Sequence, residues 1–166
     1  MKVSELMSSN VSCCSSNDVL ATAAQLMWDC DCGAVPVVDG ENSRVVGMIT
    51  DRDICMATWS QDRPPSQIAV RDAMSRELYT CNPGDSVAKA ETLMREKQIR
   101  RLPVVANDGT LAGILSVADI VRNSDPGRPG KTKRDGAMGD SSVIDTLGVI
   151  CAPRSTASAT AAAGRA

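Results

Sequence analysis

The chain has 166 residues, a length that fits one compact domain or two very small ones. Its 18 lysines and arginines against 20 aspartates and glutamates give a net charge of −2, which excludes the strongly basic surface of a nucleic-acid-binding protein. Histidine is absent and aromatic residues make up 2%, so Ser-His-Asp triads, histidine-ligated metals and base-stacking platforms are also excluded.

Seven cysteines are scattered along the chain without a Cys-x-x-Cys pair, and the first residues carry no apolar signal region. The pairs Cys13/Cys14 and Cys30/Cys32 lack ordinary zinc-ligand spacing, so we expect no metal. No apolar run approaches the roughly 20 residues that a membrane span requires. We therefore expect a cytoplasmic protein with no membrane contact, in which the cysteines are mostly small buried side chains.

An internal repeat organises the sequence. Displaced by 67 positions, Val3 falls on Val70, and Pro36-Val37-Val38 falls on Pro103-Val104-Val105. After one deleted residue the offset is 66, and Gly47 and Asp53 fall on Gly113 and Asp119. Such self-similarity predicts two copies of one structural unit.

Each copy begins with a short extended piece and a helix. The extended pieces are predicted at Val11–Cys14 and Leu78–Cys81, each followed by an aspartate, Asp18 or Asp85, that can cap the helix. Apolar residues then recur at helical spacing. In the first copy they are Leu20, Ala23, Ala24 and Met27, and in the second Val87, Ala90 and Met94.

A strand hairpin and a second helix complete each copy. The buried strands are predicted at Ala34–Val38 and Leu102–Val105, and their partners at Val45–Thr50 and Leu111–Ser116. The last helices begin near Asp51 and near Val117. The fold class is therefore α/β, with two β-α-β-β-α repeats packed sheet to sheet around an approximate twofold axis.

Composition shifts divide the chain further. A Gly/Pro-bearing basic stretch follows the second copy, then a short amphipathic pattern and an Ala/Ser/Thr-rich end. The predicted parts are a first repeat at 1–58, a linker at 59–69, a second repeat at 70–123, a flexible basic linker at 124–140, a short helix at 141–151 and a disordered tail at 152–166.

The two copies resemble the tandem CBS-domain module, also called the Bateman module. The markers are the Pro-Val-Val strand and a Gly-x-x-Thr/Ser-x-x-Asp signature, which stands as Gly47–Asp53 and again as Gly113–Asp119. The resemblance implies a non-catalytic regulatory module that senses AMP, ATP or a related adenosyl ligand, with no obligatory cofactor and an unknown regulated protein. It also implies a homodimer formed through helices, to which Met27, Trp28 and Cys30 contribute.

The signature has a chemical logic of its own, because it joins a strand end to a helix start where backbone N–H groups favour an anion. The hydroxyls of Thr50 and Ser116 can cap the helix or bind a phosphate, and the carboxylates of Asp53 and Asp119 can accept from ribose hydroxyls. The alternative is a capping box that needs no ligand.

Two arginines distinguish the copies. The resemblance makes Arg100 and Arg101 phosphate-binding candidates, whereas the first copy has Gly33 and Ala34 at the matched positions. We therefore expect unequal clefts, and the alternative is that these arginines form solvated surface ion pairs. The adenine is expected near Cys13, Val35, Thr80 and Leu102.

A second class of function stays open. The clefts could be filled by side chains, and the protein would then be a ligand-independent scaffold or a stress- or redox-responsive interaction protein. An enzyme is not expected, because the sequence offers no histidine and no nucleophile–base pair.

Overall fold

The computed structural model describes residues 1–40 and 43–123. The chain divides into two compact units, Met1–Ser116 and Val117–Ala166. The predicted basic linker at 124–140, the helix at 141–151 and the tail at 152–166 lie outside the described residues.

The first repeat has the predicted order of elements. A 3-10 turn at Val3–Glu5 precedes strand β1, helix α1, strands β2 and β3, and helix α2. Strand β1 pairs in parallel with β2, and β2 pairs antiparallel with β3, in the sheet order β1-β2-β3. The bounds are β1 Cys14–Ser15, α1 Leu20–Asp29, β2 Ala34–Asp39, β3 Arg44–Thr50 and α2 Asp51–Gln61.

Two further 3-10 turns follow, Pro65–Gln67 before the second repeat and Val70–Asp72 at its start. It contains helix α3 and an antiparallel pair, β4 with β5, and helix α4 begins the second unit. The bounds are α3 Val87–Lys97, β4 Arg101–Val105, β5 Leu111–Ser116 and α4 Val117–Arg122.

The registers of the two sheets confirm the repeat. Cys14 pairs with Val37, and at the matched positions Cys81 forms a parallel bridge with Val104. Of the extended piece predicted at Leu78–Cys81, only Cys81 pairs with a strand, through this single bridge. Each hairpin also shifts register at the same place, after Val37 and after Val104. Two copies with one irregularity in common follow one structural plan.

The aspartates that precede the first helix of each repeat do not cap it, so that prediction is wrong. Helix α1 begins after Val19, which supplies no side-chain cap, and Asp18 Oδ2 instead accepts from the Ser15 N–H at 2.8 Å. Asp85 accepts from the Asn82 N–H at 2.9 Å, and Ser86 caps α3. Each aspartate side chain instead accepts a hydrogen bond from a backbone N–H three residues earlier, which closes the turn that leads into the helix.

Residues 59–69, predicted as a linker, are partly built into the fold. Helix α2 continues to Gln61, which overlaps the predicted linker by three residues. Further along, Ile68 is fully buried, and Ala69 forms an antiparallel bridge with Val19. The end of this segment therefore anchors the second repeat to the first.

The opening segment of each repeat attaches to the other repeat. The Val3 N–H donates to the Asp85 carbonyl at 2.9 Å, and at the matched positions the Val70 N–H donates to the Asp18 carbonyl at 2.8 Å. Two reciprocal contacts of this kind give the repeats an approximate twofold relation. Each repeat thus depends on the other for backbone partners.

The same exchange continues at the second strand of each hairpin. Ser8 and Ile114 exchange two backbone hydrogen bonds of 3.0 Å, and Met48 and Ser75 exchange two of 3.1 and 2.9 Å. Through these bonds, the segment at Ser8 of the first repeat pairs with β5, and the segment at Ser75 of the second repeat pairs with β3. The two repeats consequently fold as one unit up to Ser116.

The core of the first repeat is aliphatic, as the composition requires. It joins the strands and both helices of this repeat to Ile68, at the end of the linker, and to Val70, at the start of the second repeat. The buried members are Cys14, Leu20, Ala23, Met27, Val35, Val37, Ile49, Ile54, Ala57, Ile68 and Val70.

Gly47 and Gly113 make the exchange possible. A Cβ on Gly47 would lie 2.7 Å from the Ser75 carbonyl oxygen, and one on Gly113 would lie 2.7 Å from the Ser8 carbonyl oxygen. Real Cβ atoms do not approach a backbone oxygen so closely, so the strand and the crossing segment would have to separate. The glycine of the signature is therefore a packing requirement between repeats.

Replacing Gly113 by alanine is expected to lower the free energy of unfolding by about 1–3 kcal/mol, because overpacking against backbone cannot relax locally. Gly47→Ala is expected to behave alike. The measurement is urea unfolding followed by circular dichroism. Gly84→Ala is the control, since a Cβ there meets nothing within 4 Å. Equal midpoints for Gly113→Ala and Gly84→Ala would contradict the packing role.

Candidate functional site

The first signature lies where β3 ends and α2 begins. Thr50 is the N-cap residue, with extended backbone, and its Oγ1 accepts from the Asp53 N–H at 3.2 Å. In return, Asp53 Oδ2 accepts from the Thr50 N–H at 2.9 Å and from the Thr50 hydroxyl at 2.7 Å. The two residues form a reciprocal capping box.

This capping box has a consequence for ligand binding. The Thr50 hydroxyl already donates to Asp53 and accepts from the Asp53 N–H, so one lone pair of Oγ1 and the second carboxylate oxygen, Oδ1, are what a ligand could address. Both residues are half-buried, so each keeps some exposure to solvent. The capping box by itself stabilises the start of α2.

The second signature is divided between the two units. Ser116 ends β5 in the first unit, where it is the register partner of Arg101 on β4. Asp119 lies on α4 in the second unit, where it is buried and forms an ion pair with Arg122. Arg122 was not anticipated from the sequence, although its spacing of three residues from Asp119 on a helix was the available signal.

The two arginine candidates have different surroundings. Arg100 is exposed at the bend before β4, and Arg101 is half-buried at the start of that strand. The Arg101 guanidinium lies within electrostatic range of the Cys32 thiol. Burial raises the pKa of Cys32, and an N–H from Ala34 and the charge of Arg101 act against that rise. A cation of the second repeat therefore acts electrostatically on a thiol of the first.

The four residues expected near an adenine occupy matched places in the repeats. Val35 and Leu102 are almost fully buried, and their side chains belong to the core. Cys13 and Thr80 are half-buried one residue before the β1–β2 and Cys81–Val104 pairings. Thr80 also lines a cavity of about 410 Å³. The other lining residues are Cys81, Asp85, Lys89, Ala90, Thr92, Leu93 and Glu96.

The structure adds a groove that the sequence did not reveal. It has a volume of about 440 Å³ and lies along α1, the loop after it and the start of α2. Its lining consists of Ala24, Met27, Trp28, Asp31, Cys32, Gly33, Asp51 and Ile54. No local signal could have found it, because Asp31 and Asp51 are far apart in the chain and meet only after folding.

The six described thiols fall into three groups, of which the half-buried one contains Cys13 and Cys32. Cys14 on β1 and Cys81 in the bridge to Val104 are buried, and burial raises the pKa of each to about 11. Cys30 and Cys55 are exposed. Within residues 1–40 and 43–123, no group of three or more cysteine, aspartate or glutamate side chains is gathered as a metal site would require.

A repeated unit of helices and a strand hairpin, with a strand-to-helix signature in each copy, defines a class of small regulatory modules. The CBS-domain family model matches residues 3–59 and 70–125. The chain therefore belongs to the CBS-domain family and is a CBS-domain pair. This family assignment confirms the resemblance that the sequence motifs indicated.

Three comparisons illustrate the relationship. The CBS domain-containing protein YhcV of Bacillus subtilis (strain 168) is 40% identical over 121 residues, which cover 73% of this chain and 84% of that protein. The crystal structure of Hypoxic Response Protein I with two coordinated zinc ions gives a TM-score of 0.68 at 30% identity, covering 75% of this chain and all of that one.

The third is the CBS domain pair of protein MJ0100, in complex with 5′-methylthioadenosine and S-adenosyl-L-methionine. Its TM-score is 0.65 at 25% identity, covering 74% of this chain and 98% of that one. Among the described residues of the present chain, none of the helices is long and apolar enough to cross a membrane.

Thr50→Ala is expected to lower the free energy of unfolding by about 1 kcal/mol, because it removes both the N-cap acceptor and the partner of Asp53. Thr50→Ser should retain most of the stability, since a hydroxyl remains. Chemical denaturation measures both. Thr22→Ala, at an exposed site within α1, is the control. The capping role would be contradicted if Thr50→Ala and Thr22→Ala unfolded alike.

Thiol labelling should follow burial. At pH 8, iodoacetamide is expected to modify Cys30 and Cys55 first and Cys14 and Cys81 last, because a thiol of pKa about 11 is only about one-thousandth thiolate there. Peptide mass spectrometry after timed labelling gives the order, and the urea-unfolded chain serves as the reference. If Cys14 were labelled as fast as Cys55 in the folded protein, the predicted order of labelling would be wrong.

Proposed function

We propose that this CBS-domain pair binds an adenine nucleotide or related adenosyl ligand, without catalysis, and reports it to a regulated protein. The observation that carries the proposal is the Thr50–Asp53 junction, which holds a hydroxyl and a carboxylate at a helix start and keeps some exposure to solvent. The adenosyl ligands of the MJ0100 pair support the choice of ligand class. A cytoplasmic location, where AMP and ATP are available, belongs to the proposal.

The ribose is assigned to the carboxylates. Asp53 accepts from the ribose hydroxyls through the oxygen that the capping box leaves available, and Asp119 has the same role by repeat match. Thr50 and Ser116 contact the ribose or the first phosphate. The capping box holds Asp53 in one rotamer, so little side-chain entropy remains to be lost on binding.

The phosphates are assigned to Arg100 and Arg101. A guanidinium binds phosphate through paired N–H donors, and Arg101 is already held at a strand start. Its charge acts on the Cys32 thiol of the first repeat, whose own matched positions, Gly33 and Ala34, offer no cation. The proposed nucleotide site is therefore stronger where the arginines lie.

The adenine is assigned to the surroundings of Cys13 and Thr80. Both are half-buried beside backbone that is already paired in the sheets. Val35 and Leu102 are held in the core, so their part in the site is through their backbone and the apolar walls that they support. Binding would act by population shift, favouring one relative arrangement of the two repeats.

Calorimetry with adenosine, AMP and ATP is the test. Arg100→Ala and Arg101→Ala are expected to weaken AMP and ATP binding about tenfold and to leave adenosine unchanged, because a charge-assisted hydrogen bond is worth roughly 1.5–3 kcal/mol. Asp119→Asn and Asp53→Asn are expected to weaken all three ligands through the ribose. Arg76→Ala, at another exposed arginine, is the control.

Three results would count against this assignment. Equal losses for adenosine and ATP in the arginine variants would remove the phosphate role. Full binding by Asp53→Asn and Asp119→Asn would remove the ribose role. Absence of any binding by the parent chain would reject the nucleotide proposal altogether.

One observation favours the scaffold function as a second candidate. Thr50 and Asp53 satisfy each other in the capping box, so the junction is stable without a ligand. A scaffold predicts that none of the adenosyl ligands raises the melting temperature, whereas a ligand that binds only the folded state must raise it.

A further inference from the structure

A cavity of about 410 Å³ lies along α3 and the segment that leads into this helix, and we call it the α3 cavity. Its most deeply buried lining residues are Cys81 and Ala90, and Leu93 also lines it and is half-buried. Burial raises the pKa of the Cys81 thiol to about 11, so this thiol is uncharged at neutral pH. The inner wall of the cavity is therefore apolar and suits a hydrocarbon chain.

Charged side chains lie at both ends of the α3 cavity. Lys89 Nζ is 2.8 Å from Asp85 Oδ1, in an ion pair near the start of α3. Glu96 follows Lys89 by seven residues, which is about 10 Å along the helix axis. No cation of the described residues pairs with Glu96. With two carboxylates against one ammonium, the lining has an excess of one negative charge.

The ion pair of the α3 cavity has bonding capacity left for a ligand. The Lys89 ammonium has three N–H donors, of which Asp85 Oδ1 accepts one. The N–H of Asn82, which donates to Asp85 Oδ2 at 2.9 Å, and the Lys89 ammonium lower the pKa of Asp85, so its carboxylate is charged at neutral pH. An α-amino acid is complementary to such a pair, because its carboxylate can accept from Lys89 while its ammonium donates to Asp85.

The first repeat forms the matched helix without these charges. Thr22 stands where the second repeat has Lys89, so the ammonium is absent there. Asp29 stands where the second repeat has Glu96, and it already accepts from Gln25 Nε2 at 2.8 Å. The fold of the repeat therefore does not require the charges of the α3 cavity, which favours a role for them in binding.

We propose that the α3 cavity binds a free basic α-amino acid, lysine or arginine. The α-carboxylate accepts from Lys89, and the α-ammonium donates to Asp85. The methylene stem lies on Ala90 and Leu93, and the side-chain cation pairs with Glu96. Three or four methylenes extend such a cation about 6–7 Å from the α-carbon, which with a hydrogen bond at each end matches the spacing of Lys89 and Glu96. The single net positive charge of the ligand neutralises the excess negative charge of the lining.

Calorimetry of the full chain with lysine and two truncated analogues tests each contact. Norleucine lacks the side-chain ammonium, and cadaverine lacks the carboxylate. Glu96→Gln is expected to weaken lysine binding about fivefold, the upper end for an exposed ion pair, and to leave norleucine unchanged. Lys89→Met is expected to weaken lysine and norleucine about fivefold and to leave cadaverine no weaker, because cadaverine has no carboxylate to lose. Arginine should follow lysine.

Matched controls lie on the same helix. Glu91→Gln and Lys97→Met remove a charge of each sign from α3 outside the cavity lining, and both should leave lysine binding unchanged. Circular dichroism confirms that each variant folds. Thr80 lines the α3 cavity and also belongs to the proposed adenine surroundings, so it is left unchanged. Every titration is made without nucleotide, so failure of this proposal is distinct from failure of the nucleotide proposal.

Four results would overturn the proposal. If the parent chain binds neither lysine nor arginine at about 10 mM ligand, where even a weak site is largely occupied, the basic amino acid is rejected. Equal losses for lysine and norleucine in Glu96→Gln reject the side-chain contact. Equal losses for lysine and cadaverine in Lys89→Met reject the carboxylate contact. Binding of Nα-acetyl-lysine as tight as that of lysine rejects the α-ammonium contact and indicates the C-terminal residue of a peptide instead.

Discussion

The structure depends on a close contact that occurs twice: a backbone segment of each repeat packs directly against a glycine of the other repeat. The Ser75 carbonyl lies over Gly47 and the Ser8 carbonyl over Gly113, at distances that no Cβ tolerates. The backbone hydrogen bonds around these two points make the opening turn of each repeat part of the opposite one. A unit of this size buries too little surface alone, and the exchange provides the missing burial. The glycine of the signature is therefore needed for folding, whatever the site binds.

Most of the fold could be predicted because the sequence patterns that indicate its strands and helices are local and occur in both repeats. The hairpins at Ala34–Asp39 with Arg44–Thr50 and at Arg101–Val105 with Leu111–Ser116 follow from short apolar runs, and α2 begins at Asp51 as expected. The helix caps were misassigned because an aspartate before a helix can either cap it or close the turn leading to it. Only tertiary pairing of the preceding strand decides between these. The exchange of opening segments could not be predicted from the sequence either, because no local pattern distinguishes a contact within a repeat from a contact between repeats.

The candidate site was predictable in its residue types but not in their environment. The spacing of Thr50 and Asp53 identified a strand-to-helix junction, and the structure shows both residues bonded to each other. Two further interactions depend on rotamers and on the packing of distant segments. They are the ion pair of Asp119 with Arg122 and the electrostatic effect of Arg101 on Cys32. A sequence motif therefore identifies which groups are present, whereas folding determines which of their atoms remain available.

The symmetry of the backbone contrasts with the asymmetry of its charges. The first repeat has Gly33 where the second has Arg100, and a Cβ on Gly33 would lie 3.0 Å from the Asp51 carboxylate rather than beside a cation. Asp51 itself adds a negative charge at the start of α2, which stabilises the helix. Two copies of one fold have thus acquired opposite electrostatic character. Because identical repeats would offer two equal clefts and two equal helix surfaces, this divergence gives each repeat a distinct chemistry.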